Sequence, residues 1–120
     1  MIHPDEVKGF LAPEEGEALA QAAKGAGRLG PIVEIGSYCG KSALYLGPAA
    51  REAGTRLFTI DHHRGSEEHQ PGEDYHDPEL YDGKAGRVDT LPALRETLRR
   101  AELEDAVIVM IGRSGDIARH

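Results

Sequence analysis

Behind Pro13-Glu14-Glu15, the apolar residues Ala18, Leu19, Ala22 and Ala23 recur at helical spacing, and Gly25 and Gly27 follow them. Proline loses no hydrogen bond at a first helical turn and carboxylates favour the positive end of the dipole, so the pattern predicts a helix over 13–24. Pro31-Ile32-Val33-Glu34-Ile35 is short, β-branched and followed by Gly36, which predicts a buried strand feeding a tight turn. A second helical pattern runs from Lys41 to about Ala53, where Gly54 stops it. Pro48 removes a hydrogen bond inside it and is expected to kink or break the helix after Leu46. Arg56 to Asp61 reads as a second strand, and Ala106 to Ile111 as a third. Between them, Thr90 is placed to cap a helix carrying Leu91, Leu94, Leu98 and Ala101 on one face.

The order is α, β, α, β, loop, α, β. Alternation at this spacing requires right-handed crossovers, hence an α/β fold with a Rossmann-like parallel sheet and helices on both faces. A chain of 120 residues holds one such domain at most. Residues 62–89 show little periodicity and form a long polar loop, and loops of that length in a compact domain are functional or disordered.

Composition narrows the function classes. With 39% hydrophobic residues and a formal charge of −7, the chain reads as globular and lacks the clustered cations that phosphate backbones require. Nucleic acid is therefore not expected as a partner, and no apolar run reaches the length of a membrane span. Met1 to Glu6 lacks the basic and apolar stretches of a secretory leader, and the single Cys39 has no internal disulfide partner, so the cytoplasm is the expected compartment.

The segment richest in chemistry is Val33-Glu34-Ile35-Gly36-Ser37-Tyr38-Cys39-Gly40-Lys41-Ser42, at a strand end and opening into a helix. Glycines there allow a ligand close to the backbone, and the helix start suits an anion. A dinucleotide fingerprint would need glycine where Tyr38 stands. A P-loop would be completed by Gly40-Lys41-Ser42, but its first glycine position holds Ile35, with Gly36 one residue too close. That nucleotide-binding reading stays as one alternative, and a non-catalytic α/β interaction domain as another. The third pattern is E-x-G-x-x-x-G, made by Glu34, Gly36 and Gly40, with Ile60-Asp61 ending the next strand about twenty residues on.

This pairing, with Asp61-His62-His63-Arg64-Gly65 and Gly112-Arg113-Ser114, resembles the class I S-adenosylmethionine-dependent methyltransferases, in particular their small O-methyltransferase-like branch. The resemblance covers most of residues 10–120 and implies S-adenosylmethionine as cofactor. It implies that Gly36 and Gly40, with Ser37 and Tyr38 between them, admit the methionine moiety and turn N–H groups toward its carboxylate. Glu34 would sit near the ammonium or orient the turn. Asp61 would accept hydrogen bonds from the ribose hydroxyls, with His62 against the adenine face and Ser114, then Asp116, at the adenine edge. The partner is a small-molecule methyl acceptor, unidentified, and no residue is assigned as catalytic base.

Other residues carry plainer expectations. His62, His63, His69 and His76 lie among carboxylates without metal-ligand spacing, so no metal site is assigned. Lys41 is expected on the surface, Cys39 as a small residue filling a turn, and Tyr75 and Tyr81 as anchors of the polar loop. In the family resembled, the first strand is central, so a chain ending after the third strand would leave Ile32 to Ile35 as an open edge. A truncated domain, met by a second copy or by a missing C-terminal half, is the expectation that follows.

Overall fold

The computed structural model describes residues 2–119. Its principal elements in chain order are α1 (Pro13–Ala26), β1 (Ile32–Ile35), α2 (Ala43–Glu52), β2 (Leu57–Asp61), β3 (Tyr81–Asp82), β4 (Arg87–Val88), α3 (Leu91–Arg100), β5 (Val107–Ile111) and α4 (Ser114–Ile117). Strands β1, β2 and β5 form one parallel sheet in that order, while β3 and β4 make a separate antiparallel pair. All three predicted strands and all three predicted helices are present.

Register decides where a ligand can sit. Ile35 lies beside Ile60, and Asp61 beside Ile111, so the turn after β1 and the acid ending β2 emerge at the same edge of the sheet. Parallel α/β sheets bind ligands outside these carboxyl ends.

Alternation along the strands separates two faces. Leu57 and Val107 point into a core shared with Ala43, Leu46 and Ala50 of α2 and Leu94 and Leu98 of α3. Fully burying one such leucine or valine contributes about 1.5–3 kcal/mol. Helix α1 closes on α2 at Gly16, where a Cβ would lie 2.4–2.6 Å from the Tyr45 ring. The opposite face carries Val33, Ile35 and Ile108, which are 61%, 69% and 41% exposed. Helices were expected on both faces, whereas the three long helices pack into the core on one; among the described residues the other face is largely open.

Three local expectations are corrected. Pro48 does not break α2, which runs unbroken from Ala43 to Glu52. Its neighbours Leu46, Gly47, Ala49 and Ala50 are all buried, and that packing outweighs one missing backbone bond. Thr90 does not cap α3 with its side chain; Asp89 Oδ1 accepts the Leu91 N–H at 3.1 Å instead. The polar loop is also partly built, with 3₁₀ turns at Glu67–His69 and Pro78–Leu80 and the β3–β4 pair, which buries Val88 beside Leu80.

Candidate functional site

The turn after β1 is held from below by hydrogen bonds that leave its upper side open. Glu34 points back into this support: its Oε1 accepts from the Thr59 hydroxyl at 2.7 Å, and its Oε2 accepts from the Ser42 hydroxyl. Thr59 Oγ1 has one hydrogen, given to Glu34, so the buried Ser37 hydroxyl donates to Thr59 at 2.5 Å. Burial pushes the Glu34 carboxyl above the usual carboxylate range, the Ser42 and Thr59 bonds pull it back, and the Asp61 charge raises it again. Glu34 thus ties β1, β2 and the start of α2 together.

Asp61 is shared between two backbone segments. Its Oδ2 accepts the Tyr38 N–H at 2.8 Å and its Oδ1 accepts the His63 N–H at 3.0 Å. Each oxygen keeps a second lone pair, so the carboxylate can still accept from a ligand hydroxyl at both ends.

The two motif glycines do different work. Gly36 has φ +91° and a Cβ there would meet nothing within 4 Å, so this position needs glycine for its backbone and faces open space. Gly40 has φ +94° but is buried: a Cβ would lie 2.9 Å from Leu94 Cδ1 and 3.1 Å from Thr97 Cγ2. Gly40 therefore lets α3 approach the turn, an approach fixed by the Thr97 hydroxyl donating to the Cys39 carbonyl at 2.7 Å. The N–H groups of Gly36 and Gly40 are also occupied, by Ile60 O at 2.8 Å and Ser37 O at 2.9 Å. Among the described residues the N–H groups of Ser37, Cys39, Lys41 and Ser42 have no acceptor, so the donors that the turn can offer a ligand lie between and after the glycines.

Above the turn is a cleft of about 440 Å³. Gly36, Ser37 and Tyr38 form its floor, Asp61 and His62 one side, Lys41 and Ser42 another, and Lys8 to Leu11 cross it from the N-terminal segment. Gly65, Ser66 and His69 add a wall from the long loop. The Tyr38 ring stacks on His69 with centroids 5.2 Å apart, and Phe10 meets Tyr75 edge-on at 5.3 Å. Lys8 pairs with Asp77 and, at 2.9 Å, with Glu79, tying the N-terminal segment to the loop.

Of the expected site residues, Gly36, Ser37, Tyr38, Asp61 and His62 share this cleft. Glu34 and Gly40 support it from beneath. Ser114 starts α4 and Asp116 follows within it, and neither is among the cleft's lining residues. Among the described residues no three His, Cys, Asp or Glu side chains gather as a metal site. Burial pushes the Cys39 thiol up to about 12, so it is a packing residue without thiolate character. The motif gave no sign of Lys8 to Leu11 or of His69, because tertiary contacts alone bring them here.

His63 is the other residue that the motif did not single out. It is 2% exposed, its Nδ1 lies 2.7 Å from Thr90 Oγ1, and its Nε2 is buried without a hydrogen-bond partner. Burial holds its pKa below the ordinary imidazole value, against the opposing pull of Asp61 and Asp89. The unfolded chain then binds the proton more readily, so this contribution to stability is complete above about pH 6.5 and is lost as pH falls toward the folded value. In urea titrations the midpoint should drop as pH falls below about 6.5, and His63→Asn should flatten that drop. An equally steep decline in the variant would assign it to other groups.

The comparisons with known proteins agree with this geometry. A family profile described as a methyltransferase domain matches residues 33–120. Among solved structures, cofactor-bound Rv0187 from MTB superposes with a TM-score of 0.61 at 22% identity, over 97% of this chain and 43% of that one. The O-methyltransferase TomG from Streptomyces achromogenes, in complex with SAM, gives 0.60 at 22% identity, over 92% and 38%. An O-methyltransferase from Bacillus cereus in complex with SAH gives 0.59 at 24% identity, also over 92% and 38%. The chain thus spans about two fifths of the length of these structures, and their likeness establishes the fold. With the family match extending from β1 through β5 and α4, the chain belongs to the methyltransferase domain family.

Proposed function

We propose that this chain is the cofactor-binding portion of an S-adenosylmethionine-dependent methyltransferase acting on a small-molecule acceptor. The observation that carries the reading is the convergence of open Gly36 and bifunctional Asp61 on one cleft, at the carboxyl ends of a parallel sheet. A volume of about 440 Å³ falls in the range of small-molecule sites and fits the group.

When bound, S-adenosylmethionine supplies an activated methyl group on a sulfonium. The chain's own residues supply placement. Asp61 accepts from vicinal hydroxyls with its free lone pairs while its two backbone bonds keep it from rotating. Gly36 leaves room over the turn, and Tyr38, fixed through its N–H, presents its ring beside His69. His62 lines the same wall and accepts the Arg64 N–H on Nδ1 at 3.1 Å, which sets its ring orientation.

The nucleotide-binding alternative is weakened by charge and by spacing. The Asp61 carboxylate lines the same cleft and repels a phosphate, and Ile35 stands where a P-loop needs its first glycine. No described helix is long and apolar enough to cross a membrane, and the reading places the protein in the cytoplasm without a nucleic-acid partner. The exposed edge of β1 and the open sheet face beside it are surfaces for a second copy or for further chain.

Hydrogen exchange with and without S-adenosylhomocysteine tests the placement. Amides of Gly65, Ser66 and His69, on the cleft wall, should gain protection, while those of β3 and β4 should not. Equal exchange in both states would make the loop a passive connection and count against the cleft as the binding site.

A further inference from the structure

We propose that Lys41 is the residue that holds an anionic end of the ligand in this cleft, namely the α-carboxylate of the methionine moiety; the inference rests on the cofactor reading above. It starts from the charges that line the cleft. The N–H groups of Gly36, Tyr38 and Gly40 are committed to Ile60, Asp61 and Ser37, which leaves those of Ser37, Cys39, Lys41 and Ser42 as the turn's neutral donors. The cleft's own fixed anion is Asp61, which repels a second carboxylate. A free cation elsewhere on the cleft wall offsets that repulsion.

Two lysines line the cleft. Lys8 is neutralised by Asp77 and Glu79. Lys41 has no carboxylate within ion-pair distance among the described residues. It stands in the turn that leads into α2, beside Ser42, whose hydroxyl is spent on Glu34. The N-terminal segment also shapes its position. A Cβ on Gly9 would come within 3.0 Å of both Lys41 Cβ and Cδ, so the backbone there packs directly on the lysine stem and limits where the ammonium can go. An unpaired ammonium with a packed stem, at a cleft wall of a chain with net charge −7, is a fixed anion receptor. The sequence pattern alone made Lys41 a surface residue.

The test uses the full chain and two probes that differ in the amino-acid tail. S-adenosylhomocysteine carries the α-carboxylate, and 5′-methylthioadenosine carries the same nucleoside and thioether without it. By calorimetry, Lys41→Gln should weaken S-adenosylhomocysteine binding about tenfold or more, the range for a hydrogen bond to a charged group. It should leave methylthioadenosine affinity unchanged, and Lys41→Arg should recover most of the loss. Undiminished S-adenosylhomocysteine affinity in Lys41→Gln would overturn the assignment, and so would parallel losses for both probes, which would mark a packing role. If the wild-type chain binds methylthioadenosine but binds S-adenosylhomocysteine no more tightly, the carboxylate role falls while the cleft stands. If it binds neither probe, the cofactor reading falls and takes this inference with it.

Discussion

Asp61→Ala is expected to weaken S-adenosylhomocysteine binding by about 1.5–3 kcal/mol, roughly ten- to a hundredfold, from the loss of hydrogen bonds to a charged acceptor. The sequence alone assigned this residue to the ligand. The structure adds that its two oxygens also hold the Tyr38 and His63 amides, so the variant loosens the floor and one wall of the cleft together. Asn at this position is no remedy, because its amide nitrogen would face one of those N–H donors. The sheet does not depend on this carboxylate: its core contacts run through Leu57 and Val107 at the other end of the strands, and the variant should keep the wild-type circular dichroism spectrum. A folded Asp61→Ala chain with undiminished affinity would remove Asp61 from the ligand site.

Gly40→Val is expected to cost about 2–5 kcal/mol of folding stability, a large part of what a small domain has. A left-handed backbone accounts for roughly 1–2 kcal/mol of this, and pressing the new side chain into Leu94 and Thr97 for about 1–3 more. Gly36→Val shares the backbone strain but meets no neighbour, so it should lose binding with a smaller loss of stability. Chemical denaturation of both variants, with titration of whichever stays folded, separates the roles. Equal destabilisation by the two would mean that α3 yields to the larger side chain, and that the close approach at Gly40 is not a constraint.

The contrast between these glycines shows what the sequence could express. The E-x-G-x-x-x-G spacing marked both as ligand residues, because spacing records that a tight turn exists and not which side each glycine faces. Strands and helices were legible wherever one period persisted, as in Leu91 to Leu98 or Val107 to Ile111. Strands β3 and β4, of two residues each, are too short to carry any period. Pro48 misled in the other direction, since a local rule about one hydrogen bond cannot register that buried Leu46, Ala49 and Ala50 surround it.

The candidate site divides along the same line. Asp61, Gly36, Ser37, Tyr38 and His62 were legible because they sit on or beside two strand ends whose register is fixed by the sheet. Lys8 and Phe10 were not, because Lys8 reaches the site through ion pairs to Asp77 and Glu79 across the long loop, and Phe10 through an edge-on contact with Tyr75. Ser114 was placed by resemblance to a family loop, and here it begins α4 outside the cleft lining.

The most direct test of cofactor binding is calorimetric titration of the chain with S-adenosylhomocysteine and, separately, with ATP and magnesium. Saturable binding of S-adenosylhomocysteine at one site, lost in Gly36→Val, with no heat from ATP, is the expected result. Binding of ATP and magnesium without binding of S-adenosylhomocysteine would contradict it and return the glycine turn to a phosphate-binding role.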